Sequence, residues 1–157
     1  MKKLLYIIAA QVPFIPKMED LYAQLEVNRE QGLKLMDLLE RAALIGQLKT
    51  RVKAVKKMSS PDKLFLDNPN LMFGLSGSPE IGTIRETFFY NQLSRVCDVN
   101  YPGKGDFLIN DCYLFEVGDP RKTFDQIKDV ANSFLAIDGV EFGRGNRIPL
   151  WLFGFLY

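Results

Sequence analysis

Gly105-Asp106-Phe107-Leu108-Ile109-Asn110-Asp111-Cys112-Tyr113-Leu114-Phe115-Glu116-Val117-Gly118 decides how this chain is read. Apolar residues flank the polar triplet Asn110-Asp111-Cys112, which predicts two short strands, 106–109 and 113–118, joined by a tight loop. Each strand carries one carboxylate among apolar neighbours, Asp106 and Glu116. Side chains alternate faces along a strand, and a three-residue loop sets Asp106 directly opposite Glu116. Opposed Cβ atoms lie roughly 5 Å apart, near enough for two carboxylates to share one hard cation through oxygen ligands. A two-residue loop sends the two acids to opposite faces. An ordinary hairpin with solvated acids fits the same spacing, so loop length is the deciding quantity.

Working outward, residues 84–96 carry Ile84, Phe88, Leu93 and Val96 among the apolar positions of a helix. Thr123-Phe124-Asp125-Gln126 matches a capping box and predicts a helix to about Ile137. Gly139 to Arg147 is a basic, glycine-rich loop in which Arg144 and Arg147 are either phosphate ligands or solvated. Residues 150–157, Leu-Trp-Leu-Phe-Gly-Phe-Leu-Tyr, have the length and aromatic content of a strand buried on both faces. This half reads as α/β.

The first half is different. Residues 2–11 form a helix that ends before Pro13, and Pro13-Phe14-Ile15-Pro16 is a rigid turn. Met18 to Leu25 is a short helix with Met18, Leu21, Tyr22 and Leu25 on one face. Asn28 caps a helix from Arg29 to about Ala43, with an apolar stripe at Leu35, Leu38, Leu39 and Ala42, ended by Gly46. Its outward residues are Arg29, Glu30, Lys34, Asp37, Glu40 and Arg41. Residues 47–55 and 63–67 read as two strands around the tip Lys56-Lys57-Met58-Ser59-Ser60-Pro61-Asp62. Residues 68–83 form a connector, with a turn at Asn68-Pro69-Asn70 and a flexible joint at Ser76-Gly77-Ser78-Pro79. Three helices and a two-stranded ribbon give a winged-helix pattern, with 18–25 and 29–43 as its helix-turn-helix. Lys49, Arg51, Lys53, Lys56, Lys57 and Lys63 surround the ribbon, and Asp62 is the sole acid between 47 and 66. Such a patch suits phosphate contacts or a hairpin edge protected by lysines. Three acids among six outward positions on the long helix argue against its lying in a major groove.

The 157 residues hold one domain or two small ones. Composition is ordinary, 47% hydrophobic and 25% charged, and a net charge of +1 provides no global pull toward nucleic acid or membrane. Zero histidines exclude Ser-His-Asp and Cys-His catalysis and almost every zinc site. Cys97 and Cys112 lack metal-ligand spacing and read as reduced core thiols of a cytoplasmic protein. Lys2-Lys3 before Leu4-Leu5-Tyr6-Ile7-Ile8-Ala9-Ala10 faintly resembles a signal peptide, but the run is short and no cleavage site follows, so a buried first helix is expected. No segment has transmembrane length, so no membrane partner is expected.

Several stretches together resemble a known group. Arg85-Glu86-Thr87-Phe88-Phe89, Gly105-Asp106-Phe107, Phe115-Glu116-Val117-Gly118 and Ile148-Pro149-Leu150-Trp151-Leu152-Phe153-Gly154 are similar to the C-terminal half of bacterial and archaeal AAA-type ATPases. Those proteins join a P-loop ATPase, a winged helix and a PD-(D/E)XK nuclease-like domain. Pro13-Phe14-Ile15-Pro16, Leu39-Glu40-Arg41-Ala42 and residues 63–71 resemble their winged helix. No Gly-x-x-x-x-Gly-Lys-Ser/Thr occurs here, so ATP hydrolysis does not carry over. The chain is either part of a longer protein or a truncated gene product. The resemblance implies an α+β chain with a winged-helix subdomain at 1–75 and a small restriction-endonuclease-like domain at 76–157.

The resemblance also implies site residues. Glu86, Asp106, Glu116 and Gln126 fall on the nuclease positions, with Asp106 and Glu116 as ligands of Mg²⁺. The lysine of Glu-x-Lys, which helps activate water beside the metal, is replaced by Gly118. Lys122 and Lys104 are the candidate substitutes. Glu86 also reads as a surface acid or a partner of Arg85 or Arg95, and Gln126 as part of the capping box. Three functions follow: a non-catalytic DNA-binding or partner-docking module, a Mg²⁺-dependent nuclease with a relocated lysine, or a protein-interaction domain that docks on an ATPase domain of the same or another chain.

Overall fold

Leu4 and Ile8, one turn apart, are both fully buried and anchor the first helix, α1 (Lys2–Ala9), in a core with α2 (Met18–Leu25) and α3 (Arg29–Arg41). The computed structural model describes residues 2–11, 15–54 and 59–156. Lys56, Lys57 and part of the expected turn at 13–16 lie outside the described residues. Asn28 caps α3 as expected, in a full capping box: its Oδ1 accepts from Gln31 N (2.9 Å), and Gln31 Oε1 accepts from Asn28 N (3.2 Å).

Two expectations for α3 need correction. Gly46 does not end it. Ala43 turns left-handed (φ 53°), with Leu44 N donating to Leu39 O and Ala43 N to Glu40 O, a Schellman finish. Nor does the buried stripe run through Leu35, Leu38 and Ala42. It runs through Gly32, Leu33, Met36 and Leu39, while Leu38 and Ala42 are exposed. Leucines occupy both faces, so the 3.6-residue period alone cannot choose between them.

Strands β1 (Ile45–Leu48) and β2 (Lys63–Leu66) pair antiparallel, Ile45 opposite Leu66 and Leu48 opposite Lys63. The expected strand over 47–55 starts two residues earlier and ends at Leu48, and a helical turn, α4 (Arg51–Ala54), follows. Asp62 is the cause: its carboxylate accepts from Thr50 N (2.8 Å) and Lys53 Nζ (2.7 Å), pulling the chain inward. The expected connector contains another helix, α5 (Pro69–Ser76), capped by Asn68 with Pro69 in its first position.

The second half begins with α6 (Ile81–Leu93), which starts and stops three residues earlier than the periodicity predicts. A five-stranded sheet follows in the order β3 (Val99–Asn100), β4 (Phe107–Ile109), β5 (Tyr113–Gly118), β6 (Ser133–Ile137) and β7 (Arg147–Pro149). The first two pairings are antiparallel and the last two parallel. The whole is α+β, with helices concentrated in the first half.

The expected helix from Thr123 to Ile137 does not form. Residues 124–130 make successive turns, Ile127 N to Phe124 O and Val130 N to Ile127 O, and Asn132 is left-handed (φ 55°). Ser133-Phe134-Leu135-Ala136-Ile137 then pairs in parallel with β5. Gln126 is exposed and caps no helix; tertiary pairing has overridden local propensity. The expected strand over 150–157 is a 3-10 helix, Leu150–Phe155, that buries Leu150 and Phe153 and exposes Trp151, Leu152 and Phe155. Cys112 is exposed rather than in a core, and Cys97 is half-buried; both are free.

The two halves share a core. Leu48 and Phe65 join Phe89, Tyr90, Leu93, Phe107, Phe115 and Phe153 in one cluster. Phe65 stacks on Tyr90 with centroids 5.0 Å apart and touches Phe107 at 5.6 Å. Asn91 Nδ2 donates to Asp67 O, and Tyr101 N to Lys49 O.

Candidate functional site

The 110–112 loop has three residues, and Ile109 pairs with Tyr113. Asn110 and Asp111 are both left-handed (φ 50° and 56°), as a tight hairpin turn requires. The paired rungs end at Phe107 opposite Phe115. One rung further the ladder departs from the expected register. Asp106 N also donates to Phe115 O (2.9 Å), so two residues face one, the pattern of a bulge. Asp106 therefore does not simply face Glu116. Its Oδ2 accepts from Val117 N (2.8 Å), beside Glu116 in the chain.

Glu116 is 1% exposed, in the centre of a sheet whose neighbours are apolar. Lys122 Nζ lies 3.1 Å from its Oε2. The ammonium is at ion-pair distance but off hydrogen-bond angles, and neither Glu116 oxygen accepts a hydrogen bond among the described residues. Gly118 makes this approach possible. A Cβ there would sit 2.8 Å from Lys122 Cβ, 2.9 Å from Cγ and 3.0 Å from Cδ. The Lys122 stem thus crosses the space that a side chain at 118 would fill. Arg147 holds the turn that carries Lys122: Nη1 donates to Lys122 O (2.9 Å) and Nη2 to Pro120 O (2.8 Å). The guanidinium expected to meet phosphate is directed at backbone carbonyls instead.

Glu86, on α6, is the third acid. Burial pushes its carboxyl above the usual range, the charge of Asp106 pushes it further, and Lys63 and Lys122 pull it back. Lys63 Nζ donates to Glu86 Oε2 at 2.5 Å, with both side chains mostly buried. Lys63 belongs to β2, so the first half reaches into the acid cluster of the second. Sequence reading placed Lys63 with the ribbon lysines and missed this role. The signal was alternation: Lys63 lies on the same face of β2 as Phe65, whose ring its ammonium meets at 5.3 Å.

The Mg²⁺ that the resemblance implies does not fit these residues as they stand. Carboxylate oxygens are suitable hard donors, but each acid already has a positive or N–H partner: Glu86 has Lys63, Glu116 has Lys122, and Asp106 has Val117 N. Among the described residues, no three carboxylates or thiols converge as a cation would require. Lys104 is exposed.

Among the described residues of the basic patch, Arg51, Lys53 and Lys63 each have an acidic partner. Lys53 binds Asp62 (2.7 Å), and Arg51 lies 3.2 Å from Asp111 of the second half. Lys49 is half-buried, and Arg144 is exposed in its loop. An apolar surface stands out instead: Ile81 and Trp151 line a groove with Pro69, Ile84, Phe88 and Leu150, and Phe155 packs edge-on against Trp151. No helix of the described residues is long and apolar enough to cross a membrane. Comparison with protein-family models, with curated proteins and with solved structures finds no match to this chain.

Proposed function

We propose that the chain is a non-catalytic, partner-docking module of an AAA-type ATPase-related protein, built as a winged helix joined to a nuclease-like domain whose acids have become structural. The observation that carries this reading is the pairing of the cluster: Glu86 and Glu116 each hold a lysine ammonium. Hydrolysis of a phosphodiester needs those carboxylates free for a cation and a water, and here they serve as counter-charges that let Lys63 and Lys122 be buried. The exposed groove at Ile81 and Trp151 is the docking face, and its occupant is an ATPase domain. Nucleic acid is a secondary partner at most, because Arg51, Lys53 and Arg147 are engaged within the chain.

The test is incubation of the full chain with supercoiled plasmid, single-stranded DNA and RNA in Mg²⁺ or Mn²⁺, beside Glu116→Ala. No cleavage above that of the variant is expected. Cleavage lost in Glu116→Ala would make Lys122 a relocated nuclease lysine and overturn the proposal.

A further inference from the structure

Ile81, Ile84 and Phe88 lie at positions i, i+3 and i+7 of α6, so they line one side of the groove over about 10 Å. Pro69, Leu150 and Trp151 complete its apolar lining, and Arg85 and Asp138 are its charged residues. The open volume is about 240 Å³, below the roughly 300–1,000 Å³ of small-molecule pockets; it suits a few aliphatic side chains of a protein segment. Trp151 Nε1 donates to Val140 O (3.1 Å), which fixes the indole beside the 138–141 segment. Phe155 meets Trp151 at 6.0 Å with the ring planes at 90°. Both rings are exposed, and together they form an open aromatic corner. Aromatic faces attract cations. The charges around the corner have the matching sign. Asp138 accepts from Arg85 Nε (2.8 Å) and is still 43% exposed. Glu80, before Ile81, and Glu141, after Val140, are exposed. Arg85 is engaged by Asp138 and Arg147 by the 120–122 turn, which leaves Arg144 as the exposed cation of residues 138–156.

We propose that the groove and the aromatic corner bind a basic amphipathic helix of the ATPase domain. Its aliphatic residues enter the groove, and a neighbouring lysine or arginine lies on the Trp151–Phe155 corner within the field of Asp138 and Glu141. The inference rests on the docking reading and adds the chemistry of the docked segment. The long stem of such a side chain covers exposed ring surface while its charged head keeps to water and carboxylate. A second copy of this chain is a poorer occupant. A two-fold contact sets the same patch against itself, and here that brings one acidic rim beside another.

The test reads the emission of Trp151, the sole tryptophan of the chain, which shifts to the blue when the exposed indole is covered. The probes are three short tryptophan-free helical peptides with leucine at i, i+3, i+4 and i+7, flanked by lysine, glutamine or glutamate, titrated into the full chain. The lysine peptide should bind at least tenfold tighter than the glutamate peptide, with glutamine between them, and added salt should narrow the gap. Glu141→Lys and Asp138→Asn should each cut the preference at least threefold. Phe155→Leu keeps an apolar side chain but removes a ring; it should weaken the lysine peptide about two- to fivefold and leave the glutamine peptide unchanged. Ile81→Ser should abolish binding of all three. Ile81, Glu141 and Phe155 are exposed, so these variants should fold. A glutamate peptide that binds as tightly as the lysine peptide would overturn the inference and leave the docking face standing. No shift with any peptide, or a chain that sediments as a dimer split by Ile81→Ser, would overturn both.

Discussion

Replacing Gly118 by alanine tests the placement of Lys122 most directly. The new methyl would lie 2.8–3.0 Å from three carbons of the Lys122 stem, short of ordinary contact by about half an ångström. Gly118 is not among the positive-φ residues, so its backbone accepts alanine. The stem cannot simply swing aside at its base. Lys122 N donates to Asp119 O, and its carbonyl is held by Arg147. Overpacking of this kind costs about 1–3 kcal/mol, against a gain of about 0.5–1 kcal/mol from replacing glycine within a strand. A net loss of about 1–2 kcal/mol follows, including whatever weakening of the Glu116 pair accompanies the shift. In a Lys122→Gly background, which removes Cβ as well as Cγ and Cδ, the obstacle is gone, and Gly118→Ala should be neutral or stabilising by up to about 0.5 kcal/mol. The assay is urea unfolding of the four proteins in a double-mutant cycle, with an expected coupling of about 1–2.5 kcal/mol. Equal costs in both backgrounds, within about 0.5 kcal/mol, would refute the claim that Gly118 exists to receive Lys122.

Gly46→Ala should be more damaging, because its Cβ would fall 2.0 Å from Tyr90 Cε1 in the shared core; a loss of about 2–3 kcal/mol should appear in thermal unfolding, and a smaller one would mean the Phe65–Tyr90 stack yields easily. Arg147→Met removes two hydrogen bonds to the 120–122 turn and should cost about 1–2 kcal/mol in urea, with Arg147→Lys recovering part of it; an unchanged midpoint would show that the turn stands without its clamp. Glu40→Gln should stabilise the chain at neutral pH. Burial raises the Glu40 carboxyl above its ordinary value, although Lys49 and two bonds from Gln47 pull it back. A raised acid contributes stability below its unfolded pKa and loses it as pH rises through the folded one, so the advantage of glutamine should be present at pH 7 and vanish below about pH 4. A gap between the two proteins that widens on acidification would contradict this.

Sequence reading succeeded where the signal was local. The hairpin at 106–118, the Asn28 cap and the strand at 63–67 each rest on a few neighbouring residues with one good solution: an Asn-Asp turn, a capping box, a short apolar run between polar ends. It failed where a distant partner decided. Thr123-Phe124-Asp125-Gln126 looks like a helix start, but Ser133–Ile137 finds β5 and takes the preceding residues as a crossover. Leu150–Phe155 is apolar enough for a buried strand, yet only Leu150 and Phe153 point inward, and the 3-10 spacing of three suits that pair. Gly46 resembled a helix stop because glycine often is one. Its real constraint is the ring of Tyr90, 44 residues later.

The candidate site divides in the same way. Asp106 and Glu116 were visible because they belong to one hairpin, although the bulge at Asp106 breaks their expected direct opposition, and Lys122 was visible because it lies six residues from Glu116. Lys63 was invisible as a site residue because its role depends on both faces of β2 being buried. Leu64 and Leu66 enter the core of the first half, while Phe65 enters that of the second. A two-faced strand between two cores has no solvent side, so the next residue on Phe65's face must either be apolar or find an acid. Lys63 finds Glu86. Breaking a buried pair by removing one partner costs far more than the pair contributes, so neither residue can change alone without loss. The lysine that pairs with Glu86 therefore also ties the first half to the second, and a change at Glu86 has to be matched by repacking of the β2 face.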